Sequence, residues 1–212
     1  MAKKPKIEKG LDNKASEEKT VAMTEERMIA NIRDNFYDAT RVLWITGEIN
    51  DEEQYDTIKW LHYYNDKSGK PVTIYINSCG GSIYTMNAIL DLIEELKTNG
   101  VIVNTVCVGM AMSAASLILA SGSNGHRYIS PRSIVMLHSI QSFLGDSIFK
   151  TKDVSIHAKF TEKLQAAYEQ TLADYTGKKL NEIKKAVEYE NYLNAEEAVK
   201  FGVVDKVDLL IV

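Results

Sequence analysis

The hydrophobic residues follow two patterns that alternate along the chain: continuous apolar runs, which predict strands, and helically spaced apolar residues, which predict helices. Runs rich in apolar and β-branched residues predict buried strands at 41–49, 72–77, 101–108, 126–129 and 134–138. Apolar residues at helical spacing predict helices at 25–36, 51–65, 83–98 and 112–121. This βαβ alternation predicts an α/β fold with a mainly parallel sheet, right-handed crossovers and strands buried on both faces.

The pattern changes after residue 138. A mixed polar and apolar segment at 140–148 precedes a long helical pattern from 152 to 175, which ends at Gly177. Its apolar residues are spaced so that they form one stripe along the helix, and Tyr168 lies near that stripe. The stripe residues are Val154, Ile156, Phe160, Leu164, Ala167 and Leu172. By periodicity alone, such a stripe favours an ordinary helix that packs on its own domain.

Length and composition predict one domain preceded by a tail. Residues 1–24 are expected to form a solvated, mobile tail, because residues 1–20 are rich in lysine and glutamate and lack the apolar core of a secretory signal. The remaining residues, 25–212, have the length of one α/β domain.

The same composition bears on partners and location. The net charge of −4 gives no basic surface to suggest nucleic acid, and the longest apolar stretch, 101–120, is too interrupted by polar residues to span a membrane. Cys79 and Cys107 lie in or beside strand-like runs, which favours a reducing, cytoplasmic location over a disulfide framework. We expect no metal site and no cofactor.

A serine stands where a buried strand is expected to turn into an apolar helix. Ser113 lies in the segment 109–116, GMAMSAAS. A serine at such a junction can be held rigidly, with backbone N–H groups directed into the same pocket. Acyl-transfer enzymes use this geometry, because the hydroxyl is a weak nucleophile until a neighbouring base takes its proton. Taken alone, Ser113 is better explained as a small residue that allows tight packing.

Two further features bear on Ser113. Gly80 and Gly81 follow the strand at 72–77, where a glycine backbone can approach a ligand and present an N–H group to an oxyanion. His138 ends a strand 25 positions after Ser113, and imidazole is the usual general base near neutral pH. Each feature also has an ordinary explanation, as a strand-to-helix turn or a core histidine.

In order and spacing, these motifs resemble those of the Clp protease proteolytic subunit family, ClpP. The motifs are INSxGG at 76–81, GMAxS at 109–113 and VMxH at 135–138. Other similar segments extend the resemblance over roughly residues 30 to 208. The resemblance implies a ClpP/crotonase-like spiral of βαβ units with a protruding handle at about 140–177, made of a strand and the long helix. With all motifs in order, a serine-protease site is favoured over packing alone.

The resemblance implies a role for each residue of this site. Ser113 would be the nucleophile, His138 the general base, and the N–H groups of Gly81 and Ala114 the oxyanion hole. The family's third member is an aspartate, whereas Glu190 occupies the matching position here and is one methylene longer. Glu190 is also explained as a surface acid, and Glu188 could compete for the role.

The resemblance also implies an assembly and its partners. It predicts a homo-oligomer of stacked heptameric rings, a tetradecamer, whose chamber admits unfolded polypeptides supplied by an AAA+ unfoldase. Tyr75 and Tyr128 match two aromatic positions of the family's unfoldase-docking cleft. Thr73 and Glu95 stand where aromatics are expected, and a charge weakens an apolar pocket. Cys79 replaces the proline that usually precedes the paired glycines.

Three functions are open from the sequence. The leading hypothesis is an ATP-independent peptidase core, a serine endopeptidase that hydrolyses peptide bonds by a Ser-His-Glu mechanism inside a ring chamber. The departures from the family pattern also allow a catalytically weak or inactive ring subunit. The third is a crotonase-type acyl-CoA enzyme, which shares the βαβ spiral and an oxyanion hole but does not need the Ser113 and His138 pair.

Overall fold

The computed structural model describes residues 27–65, 68–141 and 150–208, and these residues fall into two compact units, divided between Arg41 and Val42. In the first unit, residues 27–40 form helix α1, close to the helix expected at 25–36. The helix carries apolar residues on one side at helical spacing: Met28, Ile29, Ile32, Phe36. The tail expected at 1–24 lies outside the described residues.

In the second unit, strands and helices alternate over residues 42–129, as the hydrophobic pattern predicts, except at 66–67, which the structure does not describe. In chain order the described elements of this unit are β1 (Val42–Ile49), α2 (Tyr55–Tyr63), β2 (Val72–Gly81), α3 (Ile83–Thr98), β3 (Val103–Met112), α4 (Ala114–Ala120), β4 (Arg127–Ile129), β5 (Ile134–Leu137), α5 (Thr151–Thr176), α6 (Leu180–Ala186), β6 (Asn191–Leu193), α7 (Ala195–Phe201) and β7 (Lys206–Val207). The predicted α/β fold class is confirmed.

The strands form one twisted sheet whose order brings two strand ends together. The order is β1-β2-β3-β4-β7, and every pair in it is parallel. The first part of β3 pairs with β4, and its last three residues pair with β5, also in parallel. Strand β6 then adds to β5 in the antiparallel direction. Consequently, β5 begins where β4 has ended and lies beside the carboxyl end of β3.

Strands β2 and β3 and helix α4 contribute much of the buried core. All seven residues of α4 are buried, because the helix is composed of alanine, leucine, isoleucine and one serine without any charge. Strands β2 and β3 begin with runs of buried residues, as expected for strands covered on both faces. This packing holds the segment between β3 and α4 firmly from two sides.

The structure extends two strands beyond their predicted ends. Gly80 and Gly81 belong to β2 rather than to a turn after it, because they pair with Glu48 and Ile49 of β1. Strand β3 continues to Met112, because its end pairs with β5. The short elements α6 and β6 were not predicted, since a few residues carry too little periodicity. Most of the segment at 140–148, including the expected handle strand, lies outside the described residues.

The long helix α5 has two different halves. Its buried residues lie only in the second half: Tyr168, Glu169, Leu172, Ala173. In the first half, the apolar side chains of Val154, Ile156 and Phe160 are exposed. The apolar stripe therefore packs on its own domain for only half of its length. Gly177 ends the helix in the left-handed conformation, at φ 68°.

No helix in the described ranges combines the length and the apolar character that crossing a lipid bilayer requires.

Candidate active site

Ser113 joins β3 to α4 in a backbone conformation that few residues other than glycine adopt. Its φ is 54° and its ψ −124°, which costs a non-glycine residue about 1–3 kcal/mol. Hydrogen bonds on both sides hold the conformation. The Ser113 N–H donates to the Met136 carbonyl at 2.9 Å, and the Ser113 carbonyl accepts from Ser116 Oγ at 2.6 Å. The strain is therefore imposed by the surrounding strand and helix, as expected where a side chain must be presented in one direction.

Gly80 packs directly against this turn. A Cβ at Gly80 would lie 2.6 Å from the Met112 carbonyl oxygen and 2.7 Å from Ser113 Cβ, and its φ of +95° also favours glycine. Strand β2 can approach the serine this closely only without a side chain at this position. The glycine pair recognised in the sequence thus has a steric role at Gly80 itself.

His138 reaches Ser113 because β5 runs beside the end of β3. Met112 and Met136 are partners across the two strands, and His138 follows Met136 by two residues. His138 Nε2 lies 2.7 Å from Ser113 Oγ, which is hydrogen-bond distance. Both side chains are half-buried. With the ring proton on Nδ1, Nε2 can accept the serine proton, which is the arrangement that general-base catalysis requires.

Glu190 lies on the other side of His138. Strands β5 and β6 pair Leu137 with Asn191, so the same antiparallel register continued by one residue sets His138 opposite Glu190. The Glu190 carboxylate accepts a hydrogen bond from Tyr192 Oη at 2.8 Å. This bond and the carboxylate charge raise the pKa of Tyr192. In the described structure no hydrogen bond joins Glu190 to His138, so the orienting role of Glu190 stays a prediction.

One cavity unites the residues that the sequence singled out. It has a volume of about 580 Å³, and its lining includes the residues predicted for catalysis and for the oxyanion hole: Gly81, Ser113, Ala114, His138, Glu190. These residues come from four separate segments of the chain, and the sheet topology brings them together.

The cavity also distinguishes between the two acids that the sequence left open. Glu190 lines it, whereas Glu188 lines a neighbouring cavity beside His157 and Glu169. The other carboxylate among the described lining residues belongs to Glu48, on β1. Because β2 separates β1 from β3, Glu48 lies on the side of the cavity away from β5 and β6. Glu190 is therefore the carboxylate best positioned for His138.

The two expected oxyanion donors, Gly81 and Ala114, line the same cavity as the serine. Ala114 N would be 3.1 Å from a Cβ placed on Gly80, so the two backbones approach each other at the cavity wall. The Gly80 N–H itself donates to Ser78 Oγ at 3.1 Å. The neighbouring Gly81 and Ala114 are thus the residues whose N–H groups we continue to predict for this role.

The two cysteines differ sharply in their surroundings. Cys107 is buried within β3, and burial raises the pKa of its thiol to about 12, with a hydrogen bond from Ser133 opposing the shift. Such a thiol is unreactive at neutral pH. Cys79 is exposed and lines the cavity, in the position where the resemblance expects proline.

Tyr75 and Tyr128 lie in one row across the sheet, with Val106 between them. Tyr75 stacks on Trp44 of β1 with ring centroids 4.6 Å apart, whereas Tyr128 is buried. Neither tyrosine lines the Ser113 cavity.

The two positions that depart from the aromatic pattern make polar contacts. Asn104 Nδ2 donates to Thr73 Oγ1 at 3.2 Å, and Asn65 Nδ2 donates to Glu95 Oε1 at 2.7 Å. Docking of an unfoldase at the row that contains Tyr75 and Tyr128 stays a prediction.

Several residues around the site were not singled out from sequence. They are the Met136 carbonyl, Ser116, Tyr168, which lines the cavity from α5, and Tyr192. Two of them, the Met136 carbonyl and Tyr168, reach the site from distant segments, which no local pattern records, whereas Tyr192 lies two residues from Glu190. Ser116 offered a weak signal, because it follows Ser113 by one helical turn.

Comparisons with known proteins found one matching family and a similar curated protein. The Clp protease family model matches residues 24–208. The ATP-dependent Clp protease proteolytic subunit 2 of Prochlorococcus marinus (strain MIT 9312) is 34% identical over 168 residues, which cover 79% of this chain and 80% of that protein.

Proposed function

This chain belongs to the Clp protease family, and we propose that it is a proteolytic subunit, a serine endopeptidase core that needs no ATP for peptide-bond hydrolysis itself. The observation that carries the proposal is the 2.7 Å contact between His138 Nε2 and Ser113 Oγ. The backbone strain at Ser113 supports it, because a packing serine would not require a positive φ.

In the first half of the reaction, Ser113 Oγ attacks the carbonyl carbon of the peptide while its proton passes to His138 Nε2. The tetrahedral oxyanion accepts hydrogen bonds from the N–H groups of Gly81 and Ala114. The C–N bond then breaks as His138 returns the proton to the leaving amine, and the acyl group remains on Ser113.

In the second half, a water molecule replaces the amine. His138 takes a proton from the water as it attacks the acyl carbon and returns that proton to Ser113 Oγ, which releases the carboxylic acid product. Glu190 orients the imidazole and stabilises its charged form in both halves. Because Glu190 is exposed, its charge acts through a higher dielectric than a buried carboxylate would.

Labelling with a fluorophosphonate tests the nucleophile directly. We expect the assembled protein to be labelled at Ser113, Ser113→Ala to be unlabelled and His138→Ala to react at least about 100-fold more slowly. Ser155→Ala, which removes an exposed serine of α5, is the matched control and should label as the parent does. An unlabelled parent beside a fully labelled reference serine hydrolase would contradict the proposal.

Two other functions predict different outcomes. An inactive ring subunit would assemble normally, resist labelling and turn over no peptide. A crotonase-type enzyme would bind coenzyme A in calorimetry. The family match favours the peptidase over the crotonase-type enzyme, and the Ser113 and His138 contact favours it over the inactive subunit.

We also propose that residues 25–212 form the protease domain of a stacked, double heptameric ring in the cytoplasm. The exposed apolar residues Val154, Ile156 and Phe160 of α5 support a partner surface, since a lone helix would leave them in water. Unfolded polypeptides, supplied by an AAA+ unfoldase, would enter the chamber. Native mass spectrometry should give fourteen times the 23.8 kDa chain mass, and a monomer at micromolar concentration would refute the ring.

A further inference from the structure

The deep end of the Ser113 cavity is apolar with one polar exception. Of the described residues that line the cavity, four have buried side chains: Met86, Ala114, Met136, Tyr168. The lining residues nearer solvent include Glu48, Tyr84 and Gln141. Tyr168, whose hydroxyl is itself buried, is thus the residue of this floor that carries a polar side-chain group.

This hydroxyl lacks a hydrogen-bond partner within the described structure. Tyr168 Oη is buried and has no hydrogen-bond partner there, although Ser116 lies close enough to lower its pKa slightly. Ser116 Oγ already donates to the Ser113 carbonyl. Burial raises the pKa of Tyr168 to about 12, with Ser116 partly opposing it, so the phenol keeps its proton at neutral pH. Leaving such a group unpaired costs stability, which is why most buried hydroxyls are paired.

The floor lies where the substrate side chain next to the cleaved bond must go. Ser113 attacks the carbonyl of that residue, whose side chain branches from the adjacent carbon atom. Ala114 and Met136, which flank the serine and histidine, both belong to the floor. The thioethers of Met86 and Met136 are unbranched and adaptable, so they can move aside and let a ligand reach the phenol.

We propose that Tyr168 is a specificity-determining residue, which selects a substrate side chain with an apolar stem and a hydrogen-bonding tip immediately before the cleaved bond. Glutamine is the natural side chain that matches best, because its methylenes contact the floor and its amide can pair with the phenol. Norleucine has a similar length but leaves the hydroxyl unpaired. A site with a buried polar group discriminates against an analogue that lacks the matching group.

This inference rests on the proposed peptidase function, and a matched peptide pair tests it. The peptides differ only in glutamine or norleucine before the cleaved bond, and kcat/KM is measured for each. We expect the parent to favour glutamine about tenfold, and Tyr168→Phe to reduce that ratio to about one. Tyr175→Phe, on the same helix but lining a different cavity, is the matched control and should keep the parent ratio.

Binding to the Ser113→Ala background separates this inference from the peptidase proposal. Calorimetry there should show the same tenfold glutamine preference, which should disappear in Ser113→Ala/Tyr168→Phe. A preserved preference in the double variant, or none in Ser113→Ala, overturns the role of Tyr168. If selective binding holds while the parent cleaves neither peptide, the peptidase proposal fails and this inference stands. Tyr168→Phe should fold, because it removes only an unpaired buried hydroxyl.

Discussion

The two sides of His138 are built differently. On the inner side, formed by Gly80, Met112, Ser113 and Met136, backbone packs directly on backbone, and Met136 is only 8% exposed. On the outer side, formed by Glu190 and Tyr192, the hydrogen bond lies at the surface, with Tyr192 54% exposed. The inner side is therefore held by sterics, and the outer side by a hydrogen bond that competes with water.

This difference indicates that the fold of a single chain fixes the geometry of the inner side more firmly than that of the outer side. The nucleophile and base meet because β3 and β5 pair in one register, and the core around α4 resists any shift. The Glu190 carboxylate, by contrast, is hydrogen-bonded to the Tyr192 hydroxyl, and a small rotation of the Glu190 side chain would redirect it. We therefore expect substitutions on the inner side to affect both folding and activity, and those on the outer side to affect the rate alone.

The largest effect is expected from Gly80→Ala. The added methyl would overlap the Met112 carbonyl and Ser113 Cβ, at a positive φ, and should destabilise the fold by about 2–4 kcal/mol. Fluorophosphonate labelling should fall at least about 100-fold. Gly125→Ala is the matched control, since its φ is also positive but it has open space, so only about 1–2 kcal/mol should be lost. Equal labelling of the two variants would contradict steric control of the serine turn.

A smaller effect is expected from Glu190→Gln. Loss of the charge beside His138 should lower kcat about 10- to 100-fold and leave KM within about twofold, because the charged imidazole forms only along the reaction path. Peptide hydrolysis and thermal unfolding are the measurements, with the melting temperature expected to stay near that of the parent.

Glu188→Gln is the matched control for Glu190, because Glu188 lines the neighbouring cavity. Its kcat should remain within about twofold of the parent value. If Glu188→Gln reduced kcat more than Glu190→Gln, the third role would belong to Glu188.

The smallest effect is expected from Tyr192→Phe. The hydrogen bond that it removes is exposed, so kcat should change by less than about threefold. The pKa of Tyr192 is raised by its hydrogen bond to Glu190, so the phenol stays protonated and the bond persists through neutral and mildly alkaline pH. The pH profiles of parent and variant should therefore run parallel from pH 6 to about pH 9. Tyr189→Phe, at another exposed tyrosine, is the control, and a tenfold loss confined to Tyr192→Phe would show that the outer side is more rigid than we infer.

The sequence predicted the long elements well and their ends less well. Helix α3 was predicted at 83–98 and occupies Ile83–Thr98, because its apolar spacing and its serine cap are both local signals. Strand β2 was predicted to end at residue 77, yet it continues to Gly81 because β1 offers it partners there. A glycine pair predicts a turn when the sequence is considered alone, and only the neighbouring strand shows that the pair continues the sheet.

The same distinction applies to the apolar stripe of α5. Its periodicity predicted a helix correctly, and it favoured packing on the chain's own domain. Only the second half does so, since Val154, Ile156 and Phe160 remain exposed. Periodicity reports that one face is apolar but contains no information about what covers it.

By itself, the sequence determined the α/β class, the order of the longer elements and the serine, histidine and glycine motifs, because periodicity, side-chain chemistry and motif spacing are properties of the chain. The tertiary structure decided that β5 starts beyond the end of β4, and so brings His138 to Ser113. It also decided that Glu190 rather than Glu188 lies at their cavity, and that Tyr168 underlies it. These facts depend on strand register and close packing between distant segments, and such contacts have no local signature in the sequence.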